Sequence, residues 1–122
     1  EGLVRLGLLE GEVDALIASE AYRAFYMHRA GHWLGMDVHD VGEYRVGGEW
    51  RVLEVGMTLT VEPGIYIGPN NRSVAKKWRG IGVRIEDDVV VTKTGCEILS
   101  HGVPKTVADI EALMAAARAD AA

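Results

Sequence analysis

The pattern of apolar and polar residues at the start of the chain is that of a helical segment. Between residues 3 and 24, apolar side chains recur at spacings of three and four, which is the period of an amphipathic helix. Gly7 and Gly11 interrupt this pattern, and glycine is unfavourable inside helices. We therefore predict a short first helix and a second helix over residues 12–20.

Alternation of apolar and polar residues predicts two β-strands in the middle of the chain. The first run covers residues 58–67, where Pro63 indicates an edge or a bulge because proline cannot donate a ladder hydrogen bond. The second run covers residues 81–91 and ends in an apolar stretch that is typical of a strand covered on both faces. The polar segment between the runs, residues 68–80, is predicted to be a loop.

The remaining segments predict hairpins and a closing helix. Charged residues and glycines over residues 42–54 indicate an exposed excursion or hairpin, and residues 93–95 predict a turn into a strand over residues 96–99. The Ala-rich segment 107–119 predicts a helix with Thr106 as its N-cap. The predicted elements are helices, then antiparallel strands and then a helix. This order is typical of an α+β protein.

Composition limits the class of protein without identifying it. The 122 residues suffice for one domain with a core, and 48% apolar and 25% charged residues are typical of globular proteins. A net charge of −5 without a basic patch argues against a nucleic-acid partner. No apolar run approaches the roughly 20 residues of a membrane span, so no membrane contact is expected. The lone Cys96 argues against disulfides and thiolate metal sites and fits a cytoplasmic protein.

Residues that could carry chemistry concentrate in HRAGHWLGMDVHD, residues 28–40. This segment contains three of the four histidines of the chain: His28, His32 and His39. Histidine is both a common metal ligand and the side chain that exchanges protons near neutral pH. The alternative is a glycine-rich turn with surface histidines. A metal or proton-transfer site is favoured only if the rest of the chain supplies further ligand residues. The neighbouring Met27 and Met36 are expected to fill the core.

Glu62 and Glu86 are the candidate partners, since each lies on the polar face of a predicted strand. If the two strands are neighbours, facing Cβ atoms would be about 4.5–5.5 Å apart, which suits two carboxylates at one metal site. The alternative is a solvated strand face on which Arg84 pairs with Glu62. Imidazole and carboxylate donors without a thiolate favour manganese, cobalt, zinc or iron, and such a site is suited to metal-assisted hydrolysis.

Three segments carry a family resemblance: HRAGHWLGMDVHDVGEY, LEVGMTLTVEPGIYI and WRGIGVRIEDDVVVTKTGCEIL. In this order they resemble the C-terminal part of bacterial Xaa-Pro aminopeptidases, which belong to the pita-bread metallopeptidases with prolidase, creatinase and methionine aminopeptidase. The resemblance covers essentially the whole chain. It implies the C-terminal half of a pita-bread fold, an antiparallel sheet with flanking helices.

The resemblance implies a metal centre with three of its ligands in this chain. His32 matches the single histidine ligand of the family, and Glu86 matches the carboxylate that bridges two metal ions. Glu62 matches a further carboxylate ligand that the family also uses as the general base. The implied cofactor is a pair of manganese ions, with cobalt or zinc as alternatives.

Three further residues match positions around this centre. His28 and His39 match two histidines that line the active site without binding metal, and His39 corresponds to the one near the scissile bond. Arg84 matches a residue that orients the network. The implied reaction is hydrolysis of the bond between an N-terminal residue and a following proline, in peptides with proline in the second position.

One part of the family pattern has no match. The family uses two further aspartate ligands upstream, whereas Asp14 lies in a predicted helix, and Asp37 and Asp40 belong to the histidine motif. The chain also begins on Glu1 rather than Met. We therefore expect residues 1–122 to be the C-terminal part of a catalytic domain whose N-terminal half, with the two aspartates, is absent.

Such a fragment is expected to be inactive alone, and metal-free or only weakly metal-binding. Half of a sheet leaves apolar surface and a strand edge exposed, so a homodimer or larger oligomer is predicted. Two alternatives stay open. The parent protein could be a prolidase-type Xaa-Pro dipeptidase on the same scaffold, or the chain could be a non-catalytic fragment that self-associates.

Overall fold

A computed structural model describes residues 1–119. Its α-helices are α1 (Gly2–Arg5), α2 (Val13–Ala18) and α3 (Val107–Ala119), with single 3-10 turns at Ala21–Ala24 and Lys76–Trp78. Its strands are β1 (Arg45–Val46), β2 (Glu49–Trp50), β3 (Thr58–Val61), β4 (Gly64–Tyr66), β5 (Gly82–Arg84), β6 (Asp87–Thr92) and β7 (Gly95–Ile98). Within residues 1–119, no helix is both long and apolar enough to cross a membrane. The mixture of helices and antiparallel strands confirms the α+β class.

The chain forms two compact units. The first consists of Glu1–His32 and Val61–Glu86, and the second consists of Trp33–Thr60 and the chain from Asp87 onward. All three predicted metal ligands belong to the first unit, and two of them, His32 and Glu86, are the last residues before the chain enters the second.

The core of the first unit is a small apolar cluster around Phe25, which is only 2% exposed. Its buried members are Leu8, Phe25, Ile67 and Val74. β4 and β5 form an antiparallel pair with Gly64 opposite Arg84. The backbone N–H of Tyr66 donates a hydrogen bond of 2.8 Å to the carbonyl oxygen of Phe25. The segment before the histidine motif is thereby attached to β4.

The second unit contains a three-stranded sheet in the order β3-β6-β7 and a separate hairpin of β1 and β2. β6 and β7 are joined at the turn predicted there, with Thr92 opposite Gly95. The other hairpin turns at Gly47 and Gly48, whose φ angles of 61° and 90° are those that a two-residue hairpin turn requires. Both predicted hairpins are therefore confirmed.

All three predicted helices are confirmed, with small changes at their ends, and α1 is the short first helix. α2 occupies the middle of the segment predicted over residues 12–20, and α3 covers residues 107–119 as predicted. Thr106 caps α3 as expected, since its Oγ1 accepts a hydrogen bond of 3.1 Å from the backbone N–H of Asp109.

The two long strands predicted from alternation are each interrupted. β3 ends before Glu62 and β4 begins after Pro63, while Ile85 and Glu86 separate β5 from β6. The backbone N–H of Ile85 donates to the carbonyl oxygen of Pro63 over 3.2 Å, so the two interruptions adjoin. Proline has no N–H to donate, which ends the regular ladder at this point. Each candidate glutamate lies at an interruption rather than inside a strand.

The alternation of apolar and polar residues does not by itself determine which strand face is buried. Thr60 is 2% and Glu62 7% exposed, whereas the apolar Val61, Val83 and Ile85 are 45%, 56% and 46% exposed. Alternation shows which residues share a face. Which face is covered depends on what packs against it.

The prediction that Met27 and Met36 fill the core is wrong. Met27 is 62% exposed and Met36 is fully exposed. Met36 lies in a run of bends between Gly35 and His39, where no regular element turns its side chain inward.

A compact polar network holds Asp87 in the second unit. Its Oδ1 accepts a hydrogen bond of 2.6 Å from Ser100 Oγ and lies 2.9 Å from Lys105 Nζ. The hydrogen bond from Ser100, and then the contact with Lys105, lower the pKa of Asp87 below its ordinary value of 3.8. The network joins the start of β6 to the segment that precedes α3.

Acid is expected to destabilise the second unit through Asp87. Because its folded pKa is lowered, its contribution to stability is fully present above the ordinary value of 3.8 and is lost as pH falls through the folded pKa. The Asp87→Asn variant lacks this titration. The urea midpoints of the wild type and of Asp87→Asn should therefore converge as the pH falls from about 5 to about 2. A difference in midpoint that stays constant over that range would contradict the prediction.

Candidate metal centre

The three predicted metal ligands meet in the first unit. One potential donor atom from each of His32, Glu62 and Glu86 lies within 4.8 Å of the other two. Two donors on opposite sides of one ion, with bonds of about 2.0–2.2 Å, are themselves about 4.0–4.4 Å apart. The cluster is therefore close to the spacing that one ion, or two ions sharing a carboxylate, requires.

Backbone hydrogen bonds position these side chains. The N–H of Glu62 donates to the carbonyl oxygen of Ala30 over 2.7 Å, which ties the loop between His28 and His32 to the end of β3. The bond from Ile85 to Pro63 holds the residue before Glu86 beside the residue after Glu62. The loop and the two strand interruptions are thereby brought together at one place.

Glu62 is a buried carboxylate between two basic side chains. It is 7% exposed, with Oε1 3.4 Å from His32 Nε2 and Oε2 3.3 Å from Arg84 Nη1. A buried carboxylate is costly unless charged or hydrogen-bonding partners compensate it, and these two side chains do so. The Arg84–Glu62 pair expected on a solvated face is present, but the solvated-face alternative is wrong for Glu62. Glu86, by contrast, is exposed.

Tyr66 is part of this site and is absent from the predicted residues. Its hydroxyl accepts a hydrogen bond of 2.6 Å from Arg84 Nε, and this bond is the main cause that raises the pKa of Arg84 above its ordinary value. Arg84 is thus held between Tyr66 on one side and Glu62 on the other. The alternation over residues 58–67 placed Tyr66 on the same face as Glu62, and that was the signal that could have found it.

His28 lies between two aromatic rings in the first unit. Its ring contacts those of Tyr26 and Tyr66 edge-on, at centroid distances of 4.9 Å and 5.3 Å. Nδ1 donates to the carbonyl oxygen of Arg29 over 2.7 Å, while Nε2 is buried and has no hydrogen-bond partner among residues 1–119. In the neutral tautomer that this bond selects, Nε2 carries the free lone pair. Burial, and then the charge of Glu62, raise the pKa of Tyr26, so its phenol keeps its proton.

His39 belongs to the second unit, where its side chain is exposed. The surrounding segment is shaped by a hydrogen bond of 3.1 Å from the N–H of Asp40 to the carbonyl oxygen of Trp33. Leu34 N–H donates to the carbonyl oxygen of Thr58 over 3.1 Å and joins the segment to β3. The catalytic role of His39 stays a prediction.

Comparison with known proteins decides the family. Residues 3–93 match the model of metallopeptidase family M24. The chain belongs to this family. Its donor set, one imidazole and two carboxylates, fits the use of divalent metal ions that the family name implies.

Individual relatives extend this result. The M24 chain is 58% identical over 117 residues to the Xaa-Pro aminopeptidase of Escherichia coli, covering 96% of this chain and 26% of that protein. It is 84% identical, with a TM-score of 0.93, to the solved structure of Pseudomonas aeruginosa aminopeptidase PepP, covering 97% of this chain and 27% of that one. A human Xaa-Pro dipeptidase is 43% identical over 94% of this chain and 29% of its own length.

Two statements follow from these likenesses. The chain spans about a quarter of the length of the aminopeptidases it matches. Its fold is that of the corresponding part of an aminopeptidase P structure, which confirms the expected α+β, pita-bread type of fold.

Proposed function

We propose that the whole protein is a dinuclear-metal aminopeptidase, which hydrolyses the bond between an N-terminal residue and a following proline. One observation carries the proposal: the donor atoms of His32, Glu62 and Glu86 lie within 4.8 Å of one another in an M24 chain. The names of the bacterial relatives supply the reaction and the substrate class, peptides with proline in the second position.

His32, Glu62 and Glu86 would hold the metal. Manganese is the proposed ion, with cobalt or zinc as alternatives, because nitrogen and oxygen donors without a thiolate suit all three. When bound, divalent ions polarise the peptide carbonyl and lower the pKa of water. We further propose that two aspartates from elsewhere in the whole protein complete the ligand set. Residues 1–122 would then be one part of the catalytic domain, inactive and weakly metal-binding on their own.

The other residues of the site position groups and move protons. Glu62, buried and flanked by His32 and Arg84, takes a proton from the attacking water as general base. Arg84, whose Nη1 lies 3.3 Å from Glu62 Oε2, orients that carboxylate. The proposed role of His28 and His39 is to line the substrate site, with His39 donating a hydrogen bond beside the scissile bond.

The second candidate is an Xaa-Pro dipeptidase, which the 43% identity to the human enzyme of that name favours. Both reactions would use the same donors, so the site geometry does not separate them. Self-association into a homodimer also stays a prediction, and it is supported by the exposed apolar Val83 and Ile85 in the first unit. A cytoplasmic location is proposed from the single cysteine.

The proposal is tested with the purified whole protein, manganese and a matched set of peptides. We expect release of the N-terminal residue from a tetrapeptide with proline in the second position, and none from the same peptide with alanine there. An inert protein would overturn the assignment, and turnover confined to Xaa-Pro dipeptides would select the second candidate. The 122-residue chain should be inactive in the same assay, and robust turnover by it would contradict the need for two further ligands.

A further inference from the structure

Two glycines lie under the ring of Tyr66. In the β4–β5 pair, Gly64 is opposite Arg84 and Tyr66 is opposite Gly82. A Cβ atom at Gly64 would lie 2.6 Å from Tyr66 Oη and 2.8 Å from its Cε2, and one at Gly82 would lie 3.3 Å from Tyr66 Cδ1. The ring therefore lies directly against the backbone of both glycines, which we call the glycine pair.

Backbone conformation does not explain these glycines. Among residues 1–119, seven other glycines have a positive φ, the region that side chains disfavour, but Gly64 and Gly82 do not. Both lie in strands, where glycine is unfavourable because it has no side chain to pack. What the glycine pair provides is the space that the Tyr66 ring occupies.

We propose that Gly64 and Gly82 are positioning residues for the proposed metal centre. Because they lack a Cβ atom, the Tyr66 ring has room in the position from which its Oη lies 2.6 Å from Arg84 Nε. Arg84 in turn places Nη1 3.3 Å from Glu62 Oε2. The sequence of contacts runs from the glycine pair to Tyr66, to Arg84 and to Glu62. The meaning of the last contact, between Arg84 and Glu62, for catalysis rests on the proposed function, whereas the first two contacts do not depend on it.

A methyl group at Gly64 should break this sequence without unfolding the chain. The three nearest atoms that it would meet all belong to the far end of the Tyr66 side chain, which can rotate away. A hydrogen bond as short as the one to Arg84 does not survive such a displacement, because its strength falls steeply with distance and angle. The expected result is a folded chain in which Arg84 has lost its phenolic partner.

Three matched glycine-to-alanine variants of the 122-residue chain test this. The measured quantity is the hydrogen-exchange rate of Arg84 Nε–H by NMR of the 15N-labelled chain, with the fold checked by circular dichroism. Gly64→Ala should accelerate exchange by about tenfold, the order expected for losing a hydrogen bond to a charged group. Gly82→Ala should accelerate it less, since its contact is 3.3 Å. Gly68→Ala, with nothing within 4 Å of its Cβ, should leave it unchanged.

A double-mutant cycle separates positioning from a general structural role. In a Tyr66→Leu background the hydrogen bond is already gone, so adding Gly64→Ala should not accelerate Arg84 Nε–H exchange further. If Gly64→Ala has the same effect with and without the Tyr66 ring, or none at all, the proposal is overturned. The cycle uses Gly82→Ala instead if circular dichroism shows that Gly64→Ala does not fold.

Kinetics of the whole protein add a second readout. Gly64→Ala should lower kcat for a peptide with proline in the second position by about tenfold with little change in KM, because Arg84 acts on Glu62 rather than on substrate binding. If the exchange result is as expected but the wild-type protein hydrolyses no such peptide, the positioning inference stands and the proposed function fails. An unchanged exchange rate in Gly64→Ala defeats the inference whatever the activity.

Discussion

Replacing Glu62 by glutamine in the whole protein is expected to lower kcat/KM for a peptide with proline in the second position by about 10²- to 10⁴-fold. Glutamine has nearly the same shape, but it cannot accept the proton of the attacking water. It is also a weaker metal ligand than a carboxylate. Manganese content after dialysis should therefore fall together with activity.

The fold should survive this change. Glu62 is 7% exposed, so a cavity there would be harmful, but glutamine leaves none. The Arg84 side chain that loses its ionic partner is 44% exposed and can be solvated by water. Thermal unfolding should accordingly shift little while activity is lost.

Glu97→Gln is the matched control, because Glu97 is an exposed strand glutamate of β7 in the second unit. It should change neither activity nor manganese content. If Glu62→Gln keeps activity within a few-fold of wild type, Glu62 is neither general base nor metal ligand, and the proposed chemistry of the site is wrong.

Truncation of Phe25 to alanine is expected to destabilise the chain by about 3–5 kcal/mol. Phe25 is the most deeply buried large side chain of the first unit, 2% exposed, and it packs among Leu8, Ile67 and Val74. Removing its ring leaves a cavity lined by these three residues. Domains are stable by only about 5–15 kcal/mol, so this one change would remove a large part of the total.

Urea denaturation of wild type and variant measures the loss as a lower midpoint at similar slope. Met27→Ala is the control, because Met27 lies two residues further along and is 62% exposed. It should change the free energy of unfolding by no more than about 0.5 kcal/mol. Equal losses in the two variants would mean that Phe25 is not the centre of the core.

The elements that the sequence predicted well are those fixed by neighbouring residues. α3 with its Thr106 cap depends on a run of helix-favouring residues and one hydroxyl. The hairpin at Gly47 and Gly48 depends on two residues that tolerate positive φ. In both cases the deciding interactions span a few positions, so local pattern was sufficient.

The strands were predicted less well because their limits depend on partners. Alternation continues through Glu62 and Pro63, but the ladder does not, since proline offers no N–H and the partner segment is interrupted at Ile85. Met36 was expected in the core from its chemistry alone, yet it is fully exposed. Hydrophobic character favours burial, but only packing elements provide it.

Residue types and their spacing along the chain were enough to indicate which side chains could form the site. The types of His32, Glu62 and Glu86 and their motifs indicated a metal centre of nitrogen and oxygen donors, and the match to family M24 supports that interpretation. Tertiary structure alone decided that these donors lie within 4.8 Å of one another and that Glu62 is buried. It also placed Tyr66 on the glycine pair and against Arg84. The physical reason is that residue type is a property of one position, whereas distance, burial and hydrogen bonding arise between segments far apart in the chain.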